Sequence, residues 1–85
     1  MSVELRHAVC VQIIRLLCEE RERRKLSKYA IAKRSGLSQP MIGYVERGLR
    51  NPTLETVLRM ADALDMDFAE LVQRAQASAS NKRSK

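Results

Sequence analysis

The chain has no tryptophan, one phenylalanine and two tyrosines, so any core it builds must be aliphatic. Three glycines and two prolines in 85 residues are too few for a fold of many short strands and turns, which leaves helices. No unbroken apolar run exceeds four residues, far below the ~20 that cross a bilayer, and the N-terminus lacks the pattern of a signal peptide. A cytoplasmic chain with no membrane partner is therefore expected. Cysteine is scarce: Cys10 and Cys18 stand eight residues apart in one prospective helix, ~12 Å between Cα atoms, which is too far for a disulfide. With the single His7 they fall short of the ~four ligands of a zinc site. No activated nucleophile and no glycine-rich phosphate loop are present either, so neither enzymatic activity, a metal nor a cofactor is expected.

What the chain does have is positive charge, unevenly placed. The formal net charge is +6. Residues 1–20 contribute two basic and three acidic side chains, 21–50 nine and two, 51–75 two and five, and 76–85 three and none. A solvated surface normally mixes signs, so a thirty-residue block this one-sided implies a polyanionic partner, nucleic acid first among them. Residues 76–85 are small and polar, with nothing to bury, and are expected to be a disordered basic tail. Lys82, Arg83 and Lys85 in that tail either touch nucleic acid nonspecifically or simply keep the end soluble.

One all-α domain over residues 1–75 follows from the periodicity. Ser2 caps a long first helix over about 3–24, which Glu4 supports in its first turn. Its first half is apolar on more than one face, with Val9, Cys10, Val11, Ile13, Ile14, Leu16 and Leu17, and that surplus calls for a second partner surface. Leu26-Ser27 and Leu37-Ser38 each set an apolar residue before a serine cap, with Ile31 and Ile42 five positions beyond each leucine. These are two hydrophobic staples that open two short helices within 28–47. Gly36 supplies the turn between them, giving a helix-turn-helix whose second helix can enter a major groove. On that helix Ile42 and Val45 face inward, while Gln39, Pro40, Gly43, Tyr44 and Arg47 face outward. Gln39 can pair with adenine and Tyr44 can hydrogen-bond or pack on a thymine methyl. Gly43 marks either a close approach of DNA or tight internal packing. Thr53 caps a helix over about 54–64 with Leu54, Val57, Leu58, Ala61 and Leu64 on its apolar stripe, and Asp67 caps a last one over about 68–75.

From Leu26 to Leu71 the sequence resembles the lambda-repressor/Cro-like helix-turn-helix family, also called XRE. The resemblance rests on Leu26-Ser27 with Ala32 and Gly36, on Leu37-Ser38-Gln39 with Ile42, on the run from Val45 to Gly48, on Pro52 with Leu54, and on Ala61, Ala63 and Leu64. It implies five helices, here with an extended first one, and a dimer that controls transcription from a near-palindromic operator. It further implies base reading by Gln39, Pro40, Gly43 and Tyr44, and phosphate contacts from Lys28, Ser38, Arg47, Arg50, Asn51 and Thr53. Glu46 resembles the family's carboxylate that pairs with an arginine of the first helix, which by offset from Leu26 is Arg21. Two departures stand out: Lys25 occupies the place usually held by glycine, and Lys28 a place usually held by glutamine.

The expected function is a sequence-specific regulator of double-stranded DNA, a homodimeric repressor at the bacterial nucleoid. The alternative is an antitoxin-type module that binds a partner protein such as a toxin and represses its own operon.

Overall fold

The computed structural model describes residues 1–83, which form five helices: α1 (Val3–Arg23), α2 (Lys28–Ser35), α3 (Gln39–Glu46), α4 (Leu54–Ala63) and α5 (Phe68–Arg83). Each starts on a side chain that satisfies a free backbone donor. Ser2, Ser27, Ser38 and Thr53 accept through their hydroxyls from the N–H three residues on, and Asp67 does the same for Glu70 through a carboxylate oxygen at 2.9 Å. A cap of this kind is worth about 1 kcal/mol, which matters most for α2 and α3 at eight residues each. Pro40 sits in the first turn of α3, where its missing N–H goes unused, so the helix does begin at Gln39.

The core joins all five helices. Leu16 and Leu17 of α1, Ile31 of α2, Ile42 and Val45 of α3, Met60 and Ala61 of α4, and Leu71 and Ala75 of α5 are all buried. Leu26 and Leu37, the residues before the serine caps, pack against this cluster and fix the entry angles of α2 and α3. Leu54 and Leu58, assigned to the apolar stripe of α4, lie instead on its solvent side, 65% and 42% exposed, and the stripe that is buried runs through Val57, Met60, Ala61 and Leu64.

The C-terminal segment departs from expectation. Residues 76–83 are helical and continue α5, rather than starting a disordered tail after residue 75. Ala75 and Ala79, one turn apart, are 0% and 1% exposed, and α1 with α5 is the most extensive pairing in the fold. Small side chains let the two helices approach closely, so a segment with little to bury is still held by what it does bury. Ser84 and Lys85, and the side chains of Lys82 and Arg83, lie outside the described residues.

Two left-handed residues shape the corners that orient α3. Lys25, at φ 57°, ends α1, where Leu26 N–H reaches the carbonyl of Arg21 and Lys25 N–H that of Glu22. Gly36, at φ 76°, closes α2, and a Cβ there would lie 2.9 Å from Nη1 of Arg59, which donates to the carbonyl of Ser35. Glycine is thus favoured at the helix-turn-helix corner by its left-handed conformation, and a larger residue would also have to displace the Arg59 guanidinium.

Candidate nucleic-acid interface

The exposed edge of α3 and the first turn of α2 together form an open groove of about 340 Å³, lined by Lys28, Gln39, Pro40, Gly43, Tyr44 and Arg47. Gln39 and Pro40 are exposed, and Tyr44 and Lys28 are half-buried. Gly43 differs from its expected outward placement: it is buried beneath two cationic side chains. A Cβ on it would stand 3.8 Å from both Lys28 Nζ and Arg47 Nη2, ordinary contact distance. Internal packing therefore does not demand the glycine, although mid-helix glycine costs about 1 kcal/mol relative to alanine.

Arg47, the C-terminal cap of α3, is fixed by its own helix. Its Nε donates to the carbonyl of Gly43 at 3.2 Å, and its guanidinium lies 5.7 Å from the centre of the Tyr44 ring. Arg50, from the loop that follows, lies 5.3 Å from the same ring. Two cations on one aromatic ring hold Tyr44 in place and are themselves held by its π-face. Among the described residues no carboxylate forms an ion pair with Lys28, Arg47 or Arg50. The face is thus positive, partly preorganised and without internal neutralisation.

The other residues assigned to phosphate contact are all exposed. Ser38 and Thr53 are exposed at the N-termini of α3 and α4, with their hydroxyl oxygens accepting from the N–H groups of Met41 and Thr56. Helix N-termini carry partial positive charge and free N–H groups, which suits an anion. Asn51 is exposed in the loop between α3 and α4.

Behind α3, Arg21 and Glu46 meet in a bidentate ion pair, Nε to Oε2 at 2.7 Å and Nη2 to Oε1 at 2.9 Å, with side chains 13% and 6% exposed. The third arm of Arg21, Nη1, donates to the carbonyl of Leu26 at 2.9 Å. One guanidinium thereby ties the end of α1 to the end of α3 and to the residue that precedes the cap of α2. Glu46 drives the Arg21 pKa above its ordinary value through these hydrogen bonds. Cys18 stands beside the pair, its thiol pushed up by burial and then by the negative charge of Glu46.

Sequence reasoning gave no role to Cys18, to Arg59 or to Tyr29. Arg59 braces the corner between α2 and α3. Tyr29 is 58% exposed next to Lys28, with Lys33 Nζ 5.5 Å from its ring centre. None of the three carries a signal in the sequence, because each depends on a contact with another element or on exposure.

Comparison with known proteins follows the same geometry. The helix-turn-helix family profile matches residues 19–71, which include α2, α3 and α4. An uncharacterised HTH-type transcriptional regulator of Sinorhizobium fredii is 40% identical over 52 residues, covering 61% of this chain and 68% of that protein. One from Mycobacterium tuberculosis is 39% identical over 56 residues, 66% of this chain but only 40% of the relative's length. Among solved structures, the restriction-modification controller protein C.AhdI from Aeromonas hydrophila superposes with a TM-score of 0.66 at 40% identity, over 73% of this chain and 94% of that one.

Proposed function

The chain belongs to the helix-turn-helix family of DNA-binding regulators, of the lambda-repressor or XRE type, and on that premise we propose that it is a dimeric repressor that reads a near-palindromic operator. In this reading α3 enters the major groove, and Lys28, Arg47 and Arg50 grip the flanking phosphates, assisted by Ser38, Asn51 and Thr53. Base choice comes from Gln39, Pro40 and Tyr44. The observation that carries the reading is the set of three cations without carboxylate partners around the exposed edge of α3. Duplex phosphates are the counter-charge such a face lacks, and their counterions are released on binding. The likeness to a controller protein supports regulation of genes as the outcome.

Dimerisation has two exposed apolar surfaces to draw on. Val3 and Val11 on α1 are 67% and 47% exposed, and Leu54 and Leu58, four residues apart on α4, are 65% and 42% exposed. Twofold self-association is the commonest use of such surfaces, and it would place two reading helices ~34–36 Å apart on successive turns of the duplex. The exposed face of α1 also favours the second reading, a partner protein such as a toxin. Sedimentation of the isolated chain separates the two: a stable dimer fits self-association, and a monomer that binds DNA only with a second protein fits the other.

The direct test of base reading is Gln39→Ala. Binding to an operator selected from random duplex should weaken by about 1–3 kcal/mol, with one base position relaxed and binding to random DNA unchanged. Equal losses on both duplexes would remove Gln39 from the reading set.

A further inference from the structure

We propose that two copies of the chain associate through the outer side of α1 between Val3 and Ile14, beside the C-terminal half of α5, and not through Leu54 and Leu58 of α4. The inference rests on the dimeric reading above and names the surface that makes the dimer.

α1 and α5 lie side by side and run in opposite directions. A cleft brings Glu20 and Arg24, at the end of α1, beside Glu70, Leu71 and Arg74, at the start of α5, and the two helices form the most extensive pairing in the fold. Counting ~1.5 Å per residue back along both sets Ala79 level with about residue 12 of α1. Gln12 and Ala79 are both buried there. The stripe of α1 through Leu5, Val9, Gln12 and Leu16 is thus its covered side. Val3, His7, Cys10 and Ile14 repeat at the same spacing but are offset by two residues, roughly 200° around the helix, which is the opposite side. On that side Val3, His7, Cys10 and the neighbouring Val11 are exposed and Ile14 is half-buried.

Charge decides what covers this side. Residues 7–14 and 75–81 contain no aspartate, glutamate, lysine or arginine, in a chain that is 31% charged. Both stretches fall outside residues 19–71, the part matched by the family profile. Each copy carries a net charge of +6, so two copies repel least where neither presents a cation, and the centres of interfaces are depleted in charge. A strongly acidic or basic partner would find no counter-charge here. The uncharged run 35–45 does not meet the same condition, because Lys28 and Arg47 stand at its exposed edge. Nor do Leu54 and Leu58: the exposed Asp62 follows on their side of α4, and Glu55 pairs with Arg59 next to them at 3.9 Å. A twofold axis across α1 lets each copy cover the other's neutral stripe, with four helices in the joint layer. α1 then runs unbroken from this contact to Arg21, whose ion pair with Glu46 holds α3. One helix and one ion pair thereby set the separation of the two reading helices.

Sedimentation equilibrium of the full chain without DNA tests the assignment. The parent should sediment at twice the chain mass. Val11→Glu brings two like charges to the contact and should weaken association at least about tenfold, whereas Leu58→Glu, at a similarly exposed site on α4, should leave it unchanged. Val3→Glu is the second variant: its side chain is 67% exposed, so the substitution should dissociate the dimer with full helical content. Both α1 variants should bind a single half-site as the parent does and lose the gain from a second one. A monomeric parent overturns the inference and leaves the stripe to a different protein. A dimer that Leu58→Glu dissociates while Val11→Glu and Val3→Glu do not also overturns it, and both results leave the DNA-binding reading in place. A parent dimer that dissociates as expected but recovers no duplex from a random library removes the DNA-binding reading and keeps the interface.

Discussion

Within the basic block of residues 21–50, the end of α1 and the edge of α3 carry similar densities of positive charge but use them in opposite ways. At the end of α1 the arginines are spoken for. Arg21 is locked to Glu46, Arg23 and Arg24 share Glu20 at 2.6 Å each, and Arg24 also reaches Asp65 at 3.7 Å. One turn earlier, Arg15 pairs with Glu19. Around α3, Arg47 meets a backbone carbonyl and the Tyr44 ring, Arg50 meets the same ring, and among the described residues none of Lys28, Arg47 and Arg50 pairs with a carboxylate. Net charge therefore overstates the proposed binding face, because the three arginines at the end of α1 are already paired with carboxylates. The paired end is a brace that holds α3 at its angle, and the unpaired edge is what the brace presents.

That division predicts a graded set of effects on the brace. The largest comes from Glu46→Ala, which strands a guanidinium that is only 13% exposed. Urea unfolding should show a loss of about 3 kcal/mol, because the buried charge loses its partner without regaining water. A loss below about 1 kcal/mol would mean that the pair behaves like a surface ion pair and does not brace α3.

Next in size is an acid effect at Glu20. Hydrogen bonds from Arg23 and then Arg24 lower its pKa from 4.5 to about 2. Because the folded-state pKa lies below the unfolded one, its stabilisation is complete above about pH 4.5 and is lost as pH falls towards 2. The arginines extend into solvent, so screening limits the effect to at most about 1 kcal/mol. Unfolding free energies of the parent and Glu20→Gln should differ near neutral pH and converge below pH 3 or so. Parallel curves would show that Glu20 does not titrate with folding.

The smallest effect has the opposite sign. Lys25 adopts φ 57°, a conformation that costs a side-chain-bearing residue about 1–2 kcal/mol. Lys25→Gly should therefore raise stability by up to about 1 kcal/mol, the gain being reduced by the added freedom of the unfolded chain. A lower melting temperature for the glycine variant would show that the lysine side chain contributes contacts that outweigh its backbone strain.

The five-helix all-α fold and its family were legible because they are written in local signals: serine, threonine and aspartate caps, leucines ahead of the caps, Gly36 at the corner and apolar residues at helical spacing. What depends on partners across the fold was not. Residues 76–83 look like a solvated tail until α1 supplies the surface on which Ala79 is buried. Leu54 and Leu58 fit a helical stripe as well as Val57 and Leu64 do, and only the position of α4 decides which side is covered. Periodicity puts Gly43 on the outward face of α3, yet it is buried, with Lys28 reaching it from another helix, which no spacing within α3 could indicate.

The contrast between paired and unpaired cations is tested most directly by the salt dependence of duplex binding. The slope of log affinity against log salt should be measured for the parent chain, for Arg47→Gln and for Arg23→Gln. If the edge of α3 meets phosphate and the end of α1 does not, Arg47→Gln makes the slope shallower by about 0.9, one phosphate contact, and Arg23→Gln leaves it unchanged. Equal changes for both variants, or a parent affinity that does not respond to salt, would contradict the assignment of the binding face.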